Sequence, residues 1–157
     1  MGKYKISDAT DLTQDEADIL LAMEKHCFEK KPYLFPSGGE KIRIPLIASN
    51  KREHFMLVVN SMRLNLQKYN FNALTKKVIP LVRVDIMQGP AHRNPDGEII
   101  TGSHIHRYRE GAGDKWASPL PHEFGDPNDA FQVFQNFLDF CKVITKPMVS
   151  KSLLGNP

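Results

Sequence analysis

Apolar residues recur at helical spacing in Leu20, Met23 and Cys27, with Ile19 and Leu21 beside them. This predicts a helix that lasts to about Glu29 and docks one stripe on a core. Its start is marked by Thr13-Gln14-Asp15-Glu16, preceded by Leu12. This is a capping box, in which the threonine hydroxyl accepts from a backbone N–H and the glutamate reaches back to the cap. Pro32 to Gly39 then reads as loop. From Lys41 the period falls to two, with Ile42, Ile44, Leu46 and Ala48 on one face and Lys41, Arg43 and Pro45 on the other, the pattern of a half-buried strand. Pro45 has no N–H for a ladder, which places this strand at a sheet edge. Phe55, Leu57 and Val59 continue the alternation, and a turn near Asn60-Ser61 leads to Met62, Leu64 and Leu66. Tyr69 and Phe71 then reverse the parity, which a bulge after Lys68 would explain.

Val78 to Ile86 is the most hydrophobic strand. Alternation puts Val82, Val84 and Ile86 on one face and Leu81, Arg83 and Asp85 on the other. In Ser103 to Tyr108 the same rule separates His104, His106 and Tyr108 from Ile105 and Arg107. If Ile105 shares the core with Val84, then Arg83, Asp85, His104 and His106 converge on one side of a sheet. Asn94-Pro95-Asp96-Gly97 is a tight-turn sequence, so the two strands form a long-looped hairpin with His92 at its mouth. Trp116-Ala117 predicts one more short strand. Asp126 is the expected cap of a second helix, with Pro127 in its first turn and Phe131, Phe134, Leu138 and Cys141 as its buried stripe. The tail after Lys146 is expected to fray. The whole pattern predicts an α+β fold: an antiparallel sheet of about five or six strands flanked by an N-terminal and a C-terminal helix.

At 157 residues, 41% hydrophobic and 25% charged, the chain suits one ordinary globular domain over 1–157, with flexible ends at about 1–8 and 147–157. No apolar run approaches a membrane span and no signal peptide follows Met1, so a cytoplasmic location is expected. Cys27 and Cys141 read as small buried hydrophobes rather than as a scaffold or a zinc knuckle. The formal charge of +3 is unevenly spread. Residues 1–29 carry three lysines against seven carboxylates, whereas residues 41–83 carry nine lysines and arginines against Glu53 alone. A basic sheet face of this kind attracts a phosphate backbone or an acidic protein surface; it also arises simply as a solvated polar face.

The stretch from Arg83 to Tyr108 holds three of the six histidines. Imidazole exchanges protons or binds metals near neutral pH. Cleaving RNA without a metal needs a base for the 2′-hydroxyl proton, an acid for the leaving oxygen and a cation for the phosphorane charge. His104 and His106 are the candidate acid–base pair, Arg83 the phosphate clamp and Asp85 the orienter, with His92 nearby. Arg43, Arg63, Lys68, Lys76, Lys77, Arg107 and Tyr108 are the candidate nucleic-acid contacts. This leading reading needs no cofactor. A second chemical reading is a metal site, because His-x-His on a strand shows both imidazoles to one side and His92 or Asp85 completes three ligands. A third is structural: an Arg83–Asp85 ion pair, with histidines that order the Asn94–Gly97 loop. His26 and His54 lie outside the cluster, and the place of His122 depends on the fold.

Arg83-x-Asp85, Pro90-x-His92, Asn94-Pro95-Asp96-Gly97 and Ser103-His104-x-His106-x-Tyr108-Arg109-Glu110-Gly111, followed by Gly113-Asp114-Lys115-Trp116, carry a resemblance. On these motifs the chain resembles a family of small uncharacterised bacterial and phage proteins, over most of its length. The Arg-x-Asp strand, Pro-x-His and later His-x-His are also similar to the TumE-like toxins of bacterial toxin–antitoxin pairs. That resemblance implies an RNA-directed toxin neutralised by a protein partner. A competing expectation from another class is a non-catalytic inhibitor or antitoxin-like protein of a mobile element, engaging nucleic acid or a nuclease complex through its basic face.

Overall fold

The computed structural model describes residues 11–64 and 67–151. The expected flexible end at 1–8 and Leu66 lie outside the described residues. The fold is α+β: a mixed sheet of eight strands with one helix near each end of the chain. In chain order the elements are α1 (Gln14–Ala22), β1 (Lys25–Cys27), β2 (Tyr33–Leu34), β3 (Lys41–Ala48), β4 (His54–Ser61), β5 (Tyr69–Thr75), β6 (Ile79–Ile86), β7 (Pro90–Arg93), β8 (Ile99–Thr101), β9 (His104–Arg107), β10 (Ala117–Pro119), a 3-10 turn (His122–Phe124), α2 (Ala130–Phe140), β11 (Val143–Thr145) and β12 (Val149–Ser150). The sheet runs β10-β9-β6-β5-β4-β3-β1-β11.

The capping box forms as expected, with Thr13 accepting from the Glu16 amide and Glu16 accepting from that of Thr13. The helix is shorter than its apolar spacing predicts. It ends at Met23, and Lys25–Cys27 pairs antiparallel with β3 and parallel with β11. Cys27 therefore faces the core from a strand rather than from a helix. A buried lysine holds this junction. Lys25 has no exposed surface, and its Nζ donates to the carbonyls of Leu21, Met23 and Cys141 at 2.8, 2.9 and 2.7 Å. It thus satisfies chain-end carbonyls of both helices that no helical N–H can reach.

β1 also moves β3 from the expected edge to the interior of the sheet. It pairs only with Leu46, Ile47 and Ala48, so Pro45 lies just past its end, at a local edge where no N–H is asked for. Where a strand through Met62 and Leu64 is expected, residues 62–64 are a loop instead, and Leu64 is almost wholly exposed. Tyr69 begins a new strand, so the parity change needs no bulge there. The bulge falls across the β5–β6 pairing, where Ala73 faces Val82 but Leu74 faces Pro80. Leu81 is the extra residue, and it turns into the core rather than joining Arg83 and Asp85.

Phe71 of β5 packs against Phe134 and Phe137 of α2, with ring centroids 5.4 and 5.9 Å apart. Val82, Val84, Ile86 and Ile105 join the same core, so the helices cover one sheet face. The cap of α2 is Asp129, whose carboxylate accepts from the Gln132 amide. Asp126, the expected cap, instead closes a local turn on the Asn128 amide. After Lys146 the chain is paired again at Val149–Ser150, which runs parallel to Tyr33–Leu34, while residues 152–157 of the expected flexible end lie outside the described residues.

Candidate functional site

Two polar rungs cross the sheet on the face opposite the helices. In the first, Lys41, Asn60, Asn70, Asp85 and His104 lie opposite one another in turn on β3, β4, β5, β6 and β9. In the second, Arg43, Val58, Asn72, Arg83 and His106 do the same. Directly opposed residues share a face, so the convergence read from alternation is present: Asp85 faces His104 and Arg83 faces His106.

Asp85 is the hub. Its Oδ2 lies 3.1 Å from His104 Nε2, 3.2 Å from His106 Nε2 and 3.1 Å from Arg83 Nη2. Arg83 also donates from Nε to Asp85 at 3.2 Å and from Nη1 to Asp114 at 2.8 Å. Burial by itself would raise the Asp85 carboxyl. Hydrogen bonds from His104 and His106 and the charge of Arg83 outweigh it and hold Asp85 well below the usual carboxylate range.

The other nitrogen of each buried imidazole rests on a backbone carbonyl. His104 Nδ1 lies 2.8 Å from the Gly102 oxygen, and His106 Nδ1 lies 2.7 Å from the Asp114 oxygen. A carbonyl can only accept, so each Nδ1 carries a hydrogen and each Nε2 is turned toward Asp85. His106 Nε2 is also 2.9 Å from Arg83 Nη2. His104 and His106 are sealed, with 1% and 0% of their surface exposed.

The seal is the β7–β8 hairpin, which occupies the long loop between β6 and β9. His92 on β7 stacks on His104 with centroids 5.8 Å apart and meets His106 edge-on at 4.7 Å. It is half-buried, and its Nε2 is 2.9 Å from the Lys115 carbonyl oxygen. Asn94 clamps the hairpin to β10: its side chain donates to the Ala117 oxygen at 2.9 Å and accepts from the Ala117 amide at 2.8 Å. Asp85 and Arg83 border an open depression of about 370 Å³, lined also by Lys68, Asn70, Asn72 and Met87.

The five residues expected to do chemistry, Arg83, Asp85, His92, His104 and His106, are thus brought together. The expected nucleic-acid contacts divide. Arg43 lies exposed on the second rung, Lys68 lines the depression, and Arg63 is exposed in the loop that precedes Lys68. Lys76 and Lys77 form the left-handed β5–β6 turn, six and seven residues along the chain from Asn70 of the Asp85 rung, or about 20 Å at strand rise. Arg107 is on the helix side, over the Phe140 ring at 5.4 Å. Tyr108 lies beyond the end of β9 and is buried, its hydroxyl bonded to Leu12. Sequence reasoning gave no role to Asp114, which reaches the site through the Arg109–Gly113 turn.

The whole of this constellation falls within residues 12–143, the span matched by one protein family. The chain belongs to that family of unknown function, DUF6978. No curated protein and no solved structure matches the chain. Among the described residues, no helix of this DUF6978 protein is long and apolar enough to cross a membrane.

Proposed function

We propose that this DUF6978 protein is a toxin-like ribonuclease of a bacterial or mobile-element toxin–antitoxin or defence system, kept in check by a protein partner. One observation carries the reading: Arg83, Asp85, His92, His104 and His106, drawn from three strands, meet at one point on a polar sheet face. The likeness of the Arg-x-Asp, Pro-x-His and His-x-His motifs to TumE-like toxins supports it from the sequence side. In this reading RNA lies along the depression, its phosphates near Lys68, Arg43 and Arg83. His104 and His106, closed beneath the β7–β8 hairpin, act through Asp85 and Arg83. His92 is the imidazole that meets solvent, and its Nδ1 has no partner among the described residues, so it is placed to move the substrate proton.

Single-stranded RNA incubated with the full chain tests this. Cleavage is expected, reduced about 100-fold or more in His92→Ala and in Asp85→Asn. An intact substrate, or cleavage unchanged in both variants, overturns the reading. The competing possibility is a non-catalytic binding protein using the same face. It is favoured by one fact: among the described residues, no buried side-chain nitrogen or oxygen lacks a hydrogen-bond partner, so the network is complete without a substrate. Healthy growth on expression, with stoichiometric binding to nucleic acid or a nuclease complex and no cleavage, would select it.

A further inference from the structure

We propose that Asp85, His104 and His106 bind a divalent first-row transition ion, with zinc as the representative. Zinc bound tetrahedrally, with bonds near 2.0–2.1 Å, holds neighbouring ligand atoms about 3.3 Å apart. Asp85 Oδ2 lies 3.1 Å from one Nε2 and 3.2 Å from the other, and all three ligand atoms fall within 4.8 Å of one another. The second observation is independent of those distances. Each imidazole spends its Nδ1 hydrogen on a backbone carbonyl, of Gly102 or Asp114. That is how proteins fix a ligating histidine, and the ion takes the place of the Nε2 proton that each imidazole otherwise gives to Asp85, which is released. Imidazole and carboxylate together suit zinc better than calcium or magnesium, which prefer all-oxygen shells. His92 lies outside the ligand group, so three protein ligands leave a position for water or substrate.

Arg83 occupies the ground the ion would take. Its Nη2 is within 3.1 Å of Asp85 Oδ2 and 2.9 Å of His106 Nε2. The guanidinium therefore competes with the ion, and binding swings Nη2 toward the depression while Nη1 keeps Asp114. Electrostatics favours the exchange when phosphate arrives. Arg83 shares its charge between two carboxylates, Asp85 and Asp114, which leaves less of it for a phosphodiester. A divalent ion adds positive charge and can polarise a phosphoryl oxygen. The ion's binding stands on this geometry alone; its part in cleavage rests on the RNA reading.

The test uses the full chain, purified without an affinity tag, stripped with a chelator and titrated with Zn²⁺ against a competing chromophoric chelator. One equivalent is expected. Asp85→Asn and His106→Gln should each weaken it about 100-fold or more, while His26→Ala, remote from the cluster, leaves it unchanged. Removing the competing cation in Arg83→Gln should tighten binding about 10-fold. Asp85→Asn is nearly isosteric, so if His106→Gln fails to fold, Asp85→Asn and Arg83→Gln still decide. No zinc uptake by the wild type, or equal affinity in Asp85→Asn, overturns the site. RNA cleavage without zinc uptake would remove this proposal and leave the ribonuclease reading standing; zinc uptake without cleavage would do the reverse.

Discussion

The hydroxyl of Tyr108 accepts from the Leu12 amide at 2.7 Å and donates to the Leu12 carbonyl at 2.8 Å, across 96 residues of sequence. One phenol thus completes both backbone groups of the residue that leads into α1, and it ties that helix to the end of β9. Tyr108→Phe keeps the packed ring and strands two buried polar groups. It should cost about 3 kcal/mol, since each such loss runs at about 1–3 kcal/mol. A lowered urea midpoint with an unchanged slope would show it, and a midpoint equal to wild type would refute the pinning role.

Asp85 makes the protein sensitive to acid in a defined direction. Its carboxyl is held below its ordinary value of 3.8 in the native state. The unfolded chain therefore binds this proton first as pH falls, and the stability Asp85 contributes is present above about pH 4 and lost below it. Asp85→Asn has no such proton to take up. Its urea midpoint should fall less steeply than that of the wild type between about pH 4 and pH 2.5, and parallel curves would contradict this.

Lys25 produces a slope of the same sign at the alkaline end. Burial pushes its ammonium down to about 8 from 10.5, so between those values the unfolded chain holds a proton that the native protein has released. Stability from this group rises with pH across that window. The midpoint difference between wild type and Lys25→Met should therefore grow in favour of wild type from pH 7.5 to pH 10. A difference that stays flat would mean that the three carbonyl acceptors keep Lys25 charged throughout.

Asn94 should govern access to the imidazoles. Its side chain makes the pair of bonds to Ala117 that a neighbouring strand would otherwise make. Asn94→Ala should cost about 1–3 kcal/mol and speed amide hydrogen exchange in residues 90–101, with the sheet strands β3 to β6 unaffected. Uniform exchange across the chain would mean that the hairpin is not held by this clamp.

Much of the site was legible because alternation is a strong constraint wherever a strand has one apolar face. Val84 and Ile105 had to face the core, and that alone sent Asp85 and His104 to the other side. The same rule failed at Leu81 and Tyr108 for local reasons: a bulge inserts Leu81, and β9 ends one residue before Tyr108. Cys27 fits helical spacing as well as it fits strand β1, and only the pairing with β3 and β11 decides between them. Asp114 left no trace in any periodicity, because a turn rather than a regular element delivers it. Lys25 was invisible for a different reason. A lysine is normally an exposed charge, and the carbonyls that accept from it come together only when the ends of both helices meet.

The two polar rungs draw their members from different parts of the chain. Among the described residues, every side chain that hydrogen-bonds or ion-pairs with Asp85 comes from the single stretch 83–106, whereas the lysine, arginine and asparagines that continue the rungs belong to strands β3 to β5. The histidine cluster and the polar surface beside it are therefore separately encoded. Exchanging side chains at positions 41, 43, 68, 70 or 72 would change the charge and shape of this face without disturbing a single imidazole.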